Sequence, residues 1–407
     1  MPWYLEVLLR SLLVLIPLHA LLLWRVLRAA CIGLGLSVRG AFGVGTLLLL
    51  WGIAAPLVAL WAYQARTSTF DWQLWMERIL YGSTATDFLL MYPFWFGLVV
   101  SLQITPYLIV FEVLLVLALR SFIDESRDLR RRMGARILFG CACLGVVYIS
   151  GRVYFDTNHV RKFERELAIT GLPAELDGLR IAHISDVQAD HYTGPIKLDR
   201  YRRAINELEP DLVVFTGDLI TRDPDMVAPG ARMLGALETR HGVFAVMGDH
   251  DVWYARGLVR RELGRAGVVL REDRNVLLRI RGKRVALTML TAVYRRKPAL
   301  PRLKRLARAT RGSDLRIMIG HQTPDDVAAF AGAAGYDLYF GGHTHGGQIL
   351  FSFFGFDLSA ALKETRFISG LYTAAGMPVH VNNGLGMTLA PIRFQAPASV
   401  SLLILRR

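Results

Sequence analysis

Long apolar runs broken by short polar stretches fill the chain to about residue 155, and shorter apolar runs between charged, glycine-containing loops fill the rest. Four early stretches, roughly 4–24, 41–63, 88–119 and 136–155, reach the ~20 mostly apolar residues that a membrane-spanning helix needs. The third would run to ~48 Å at about 1.5 Å per residue, more than a ~30 Å hydrocarbon core takes up. Ser101, Gln103, Thr105 and Pro106 interrupt its middle. A kinked or tilted helix accommodates the excess; a re-entrant pair is the alternative. Glu112 lies within this apolar segment, either as a functional acid or as part of a polar seam between helices.

From residue 178 the pattern becomes strand, loop, helix, repeated. Continuous apolar runs at 180–185, 211–216, 243–247, 315–319 and 336–340 predict strands buried on both faces. Residues 198–208 and 226–238 have helical spacing, 276–280 and 284–290 read as a hairpin, and 379–381 and 399–405 are the last strands. The expectation is an N-terminal helical transmembrane region, 1–155, followed by an α/β domain, 156–407.

Charge refines this picture. Residues 1–155 hold 13 Arg and 8 acids, net +5, and the remainder holds 35 Lys plus Arg against 26 acids, net +9. The loop near 25–39 carries Arg25, Arg28 and Arg39, and the loop at 120–136 carries six arginines. Between them, Arg66 and Arg78 are balanced by Asp71, Glu77 and Asp87. The positive-inside rule then makes the first and third loops cytoplasmic. Four spans would put the following domain on the periplasmic or extracytoplasmic side of an inner (cytoplasmic) membrane; a re-entrant pair would reverse it. A basic domain beside a bilayer fits an anionic headgroup or substrate. Nucleic acid is not an expected partner, because no nucleic-acid module appears. Cys31, Cys141 and Cys143 all lie in or beside apolar segments, so the second part has no disulfide and no cysteine metal site. Oligomeric state is not legible.

The strand ends carry the chemistry. They deliver Asp186, Asp218, Asp249-His250-Asp251, His321 and His343-Thr344-His345, mostly behind glycines. One such residue is ordinarily a helix cap or a turn former. Five blocks together are a donor set, since carboxylates and imidazoles suit borderline divalent ions and a two-metal centre needs several such ligands.

The order Asp186-Val-Gln188, Gly217-Asp218, Gly248-Asp249-His250-Asp251, Gly320-His321 and Gly342-His343-Thr-His345, followed by Asn383-Gly-Leu-Gly386 and Pro391-Ile-Arg393, resembles the calcineurin-like metallophosphoesterases. The likeness is to the bacterial branch whose phosphoesterase domain follows membrane spans. It implies a two-sheet α/β/β/α sandwich and hydrolysis of a phosphoester, whether mono-, di- or pyrophosphate, by metal-activated water. On the resemblance, Asp186, Gln188 and His345 would hold a first metal and Asp218 would bridge. Asp249, His321 and His343 would hold a second. His250 would assist the leaving oxygen, and Asp251 would orient His250. Gln188 stands where the family has His, and Asp249 where it has Asn. Both changes favour oxygen donors, and so Mn ahead of Zn or Fe; they also allow a weakened, metal-binding sensor or scaffold as the alternative. His191 is an alternative donor near Gln188, and His183 reads as packed behind the site. The apolar segment 349–358 is either sheet core or a lip that contacts lipid. With the basic domain, the lip reading favours a lipid-linked or membrane-associated phosphate substrate.

Overall fold

The computed structural model describes residues 3–64, 84–123, 126–294 and 296–407. The chain forms two compact units. One comprises Met1–Phe155, Phe351–Leu358 and Leu389–Phe394, and the other Asp156–Leu350, Ser359–Thr388 and Gln395–Arg407.

The first unit contains α1 (Trp3–Leu34), α2 (Val38–Gln64), α3 (Tyr92–Phe122, entered through a π-helical turn at Asp87–Met91) and α4 (Arg127–Asn158). Among the described residues, four helices are long and apolar enough to cross a membrane. The third is one continuous helix through Pro106 rather than a re-entrant pair. Arg25 and Arg28 lie inside α1, so the loop that follows is only Gly35–Ser37. Arg66, Asp71, Glu77 and Arg78 of the intervening loop lie outside the described residues.

Apolar side chains gain little by associating in lipid, so small residues and polar contacts do much of the joining. His19 of α1 meets Ser101 of α3 at 2.7 Å, and Gly52 and Gly97 leave room for its ring, where an added Cβ would stand 3.4 and 3.6 Å away. Glu112 pairs with Arg25 of α1. The segment around 349–358 joins neither sheet. It forms a hairpin, β10 (Phe351–Phe353) and β11 (Phe356–Leu358), paired only with itself. Tyr107 and Gln103, halfway along α3, donate to the Ser352 carbonyl at 2.8 and 3.0 Å, while Phe354, Phe356 and Leu358 stay exposed.

The second unit is a sandwich of two six-stranded sheets. The first runs β1 (Arg161–Ala168), β14 (Ser399–Arg406), β2 (Arg180–Ile184), β3 (Leu212–Phe215), β4 (Val243–Ala245), β5 (Val269–Leu270). The second runs β12 (Gly370–Ala374), β13 (Met377–Val381), β9 (Leu338–Gly341), β8 (Leu315–Ile319), β7 (Lys283–Met289), β6 (Arg274–Ile280). Strands β2 to β5 are mutually parallel, as are β7, β8, β9 and β13. Ile181, Val214, Leu287, Ile317 and Phe340 pack between the sheets. Helices α5 (Pro195–Asn206), α6 (Val227–Gly235) and α7 (Arg256–Arg265) cover the outer face of the first sheet. Helices α8 (Leu300–Ala309) and α9 (Asp325–Ala333) cover the second. The result is the expected α/β/β/α layering.

The β6–β7 hairpin turns on Arg281 and Gly282, both at positive φ (47° and 83°), as a two-residue turn matched to strand twist requires. Edge strand β1 is almost wholly exposed and charged, a composition that discourages pairing with another chain.

Leu287 is fully buried between the sheets. Leu287→Ala is expected to cost about 2–5 kcal/mol, read as a lower denaturant midpoint of the full-length protein in detergent.

Candidate metal centre

Parallel strands end in loops on one side of a sheet, and here β2, β3, β4, β8 and β9 each end in donors. Asp186, Gln188, Asp218, His343 and His345 all adopt positive φ, between 47° and 72°. Backbone strain of this kind persists only where surrounding contacts impose it. Some of those contacts are steric. A Cβ on Gly248 would collide with the Asp218 carboxylate, and one on Gly342 with the Ser185 hydroxyl and Asp186. Others are hydrogen bonds. The Asp186 backbone carbonyl accepts from Leu385 N (3.1 Å) and Gly386 N (2.7 Å), so the Asn383–Gly386 tail secures the β2 loop.

The donors converge. Asp249, His321 and His343 present ligand atoms within 4.8 Å of one another, as do Asp186, Asp218 and His321, and Asp218, Asp249 and His250. Each pair of groups shares one residue, Asp218, Asp249 or His321, so the three adjoin. His345 Nε2 lies 3.4 Å from Asp186 Oδ1. The Gln188 amide donates to Asp218 Oδ2 at 2.9 Å. Asp186 Oδ1 and Gln188 Oε1 are buried acceptors with no hydrogen-bond partner among the described residues. Buried acceptors left in this way are costly unless a cation or water completes them. This donor set therefore fits metal ions. His191 is exposed and lies against the Tyr192 ring, centroids 3.8 Å apart, and belongs to none of these groups.

Electrostatics explains the arrangement without metal. Burial pushes the Asp249 carboxyl up, but the His321 and His343 hydrogen bonds and charges outweigh it and hold it well below the usual range. Burial also raises Asp186, and His345 and His321 more than offset that. Conversely, burial works against a charge on His321, yet Asp218 and Asp249 raise its pKa well above an ordinary histidine. His343 is likewise pushed up to about 9, by Asp249 and Glu364 against the effect of burial.

Asp251 is held by backbone rather than by the His250 ring. Its two oxygens accept from the backbone N–H groups of Asp218 (3.0 Å), Leu219 (2.9 Å) and Gly248 (3.0 Å), binding the β3 and β4 loops together. Burial, with Asp218 nearby, pushes its carboxyl up to about 7. His250 is instead fixed by its Nδ1, which meets the Thr221 carbonyl. The Thr221 hydroxyl donates to Asp190 at 2.6 Å. His183 is buried with His380 (2.7 Å) and Thr216 (3.1 Å); burial holds both rings neutral, with His380 down to about 3.

Several contributors escaped sequence reasoning. Thr221 and Asp190 follow no motif. Glu364 comes from a loop 21 positions beyond His343, which it meets at 3.0 Å. Trp253 and Tyr294 stack at 5.6 Å, with Tyr294 edge-on to His343. Only the aromatic content of the short helical segment after Asp251 hinted at this wall.

Donors of this kind on a two-sheet sandwich fit metal ions. Residues 179–347 match the family model described as calcineurin-like phosphoesterase, so the chain carries a calcineurin-like phosphoesterase domain, preceded by N-terminal helices apolar enough to span a membrane. It is similar to the uncharacterized metallophosphoesterase YkuE of Bacillus subtilis, 28% identical over 69% of this chain and 99% of that protein. A transmembrane protein with metallophosphoesterase domain from Bos taurus is 26% identical over 59% of this chain and 56% of its own length. The UDP-2,3-diacylglucosamine pyrophosphatase LpxG of Chlamydia trachomatis is 39% identical over 82 residues, 19% of this chain and 24% of its own length.

Metal must displace the protons on His321 and His343. The stabilisation those protons give the metal-free fold is complete below pH 6.5 and lost as pH rises through about 9. Metal affinity is expected to climb across the same window, with protons released on binding. Calorimetric titration with Mn²⁺ in buffers of different ionisation enthalpy checks both.

Proposed function

We propose that the chain hydrolyses a phosphoester or pyrophosphate at a dinuclear site, on a lipid-linked or membrane-associated substrate. The observation that carries the reading is the pair of adjoining donor groups around Asp218, with two buried acceptors left open beside them. Asp186, Gln188 and His345 would hold one divalent ion. Asp249, His321 and His343 would hold the other, with Asp218 shared between them. The oxygen-rich set favours Mn over Zn or Fe. When bound, the ions supply the positive charge that draws in a phosphate and acidifies water for attack on phosphorus.

The chain's own side chains do the rest. The Thr221 carbonyl takes up Nδ1 of His250, which leaves Nε2 to carry the proton that the leaving oxygen needs. Asp251 keeps the Asp218 and Gly248 loops in register and so positions both Asp218 and His250. Glu364 accepts from His343 on its outer nitrogen, and a carboxylate at that place makes the imidazole a better ligand. Trp253 and Tyr294 form an aromatic wall beside the donors, able to exclude water and to hold an apolar or ring-bearing part of the substrate.

Three observations support a lipid-linked substrate. Among the described residues, four helices are long and apolar enough to span a membrane. The hairpin that begins six positions after His345 docks halfway along an apolar helix and exposes Phe354, Phe356 and Leu358. One relative is named for a diacyl-sugar pyrophosphatase activity. On this reading 1–155 is the transmembrane region and 156–407 the phosphoesterase domain, placed outside the cytoplasmic membrane by its arginine-rich loops.

His250→Ala should lower bis-p-nitrophenyl phosphate hydrolysis by about 10²–10⁴-fold with metal content unchanged. Wild-type protein with no turnover in any divalent metal would instead favour the sensor reading. A diacyl substrate in mixed micelles should turn over at least about tenfold faster than its deacylated form, as burying even a few methylenes implies. Equal rates would rule out lipid recognition.

A further inference from the structure

The first unit holds a second charged site that phosphoester chemistry does not use. Around the Arg25–Glu112 pair, α1, α3 and α4 enclose a cavity of about 210 Å³. Arg28, Arg130 and Arg131 line the same cavity. Among the described residues, four arginines and one glutamate are the ionisable groups that line it, a surplus of three positive charges (4 − 1). Guanidinium groups keep their charge inside proteins, so the surplus cannot be relieved by losing protons.

The arginines are set for a ligand rather than for each other. Arg25 Nε is buried with no hydrogen-bond partner among the described residues. Arg28 rests over the Trp24 ring at 5.3 Å, and Arg130 gives one donor to the Ile123 carbonyl at 3.0 Å. Ile32, Leu115, Val116, Leu119 and Leu138 complete the lining with apolar side chains. Gly134 lets Leu119 close in, since a Cβ there would stand 3.1 Å from it. A lining that combines guanidinium groups with apolar side chains suits an anion that carries an apolar tail. Basic pockets between membrane helices hold anionic headgroups by the same physics.

We propose that this cavity binds a phosphate group, brought either by an anionic phospholipid headgroup or by a soluble phosphate compound. The site is separate from the metal centre, whose donors all belong to the second unit.

Full-length protein in detergent would be tested by native mass spectrometry and thermal unfolding with phosphatidylglycerol, phosphatidylcholine of the same chains, and inorganic phosphate. Retention of one phosphatidylglycerol per chain, without phosphatidylcholine, is expected. Arg28→Gln with Arg131→Gln, both exposed positions, should weaken it roughly 30-fold, at about fivefold for each arginine near a headgroup. Arg120→Gln with Arg127→Gln removes the same charge outside the cavity and should change binding by less than about twofold, as screened, distant charges do. Stabilisation by inorganic phosphate that equals that by phosphatidylglycerol, and is lost only in the first double variant, assigns a soluble phosphate ligand. Equal retention of the two lipids, equal losses in the two double variants, or no binding of either probe overturns the proposal.

Discussion

The carboxylates of Asp186, Asp218, Asp249 and Asp251 are buried at the ends of three adjacent strands, each no more than 2% exposed. Water is not there to screen them, and an unpaired buried ion costs several kcal/mol. Everything near them answers that cost. Histidines from the opposite sheet take protons they would not hold in water. Backbone N–H groups crowd around Asp251. Residues that would ordinarily relax into extended or helical backbone are held at positive φ. With histidines as their neighbours, the same carboxylates are open to both mobile cations and protons. A site with that competition built in is one whose metal loading follows acidity.

The two sheets matter because they divide this burden. The first sheet brings the acids and the second brings His321, His343 and His345. Neither sheet alone gathers the acids with these three histidines. The side chains between the sheets set their spacing, and that spacing decides whether imidazole and carboxylate meet at ligand distance. Packing and chemistry are thus coupled through the core between the sheets.

Much of this was legible in the sequence, for identifiable reasons. Runs such as Leu212–Phe215 are apolar on both faces and have no other comfortable place than a covered parallel strand. Glycines before Asp218, His321 and His343 marked the loops where a side chain must approach closely. Other parts were illegible because their partners are remote in sequence. His250 takes its bearing from a carbonyl 29 positions away, and a carbonyl has no residue signature. Glu364 reads as an ordinary surface acid until the fold brings it to His343. Edge strand β1, with five charged residues among its eight, carries too few apolar positions to betray it. The hairpin at 351–358 was visible as an apolar anomaly but not as a structure, because Tyr107, which bonds Ser352, lies 245 positions upstream of it.

The chain passes from one unit to the other at 155/156, 350/351, 358/359, 388/389 and 394/395. Two short pieces of the C-terminal half are therefore built into the helical unit, and no single cut separates anchor from enzyme. A fragment beginning at residue 156 would retain the hairpin and the 389–394 segment but lose the surroundings in which they are folded. The helices, then, are more than an address label for a portable catalyst. Part of the phosphoesterase half completes its folding among them, so a lineage could not shed its membrane region without rebuilding the stretch that follows His345.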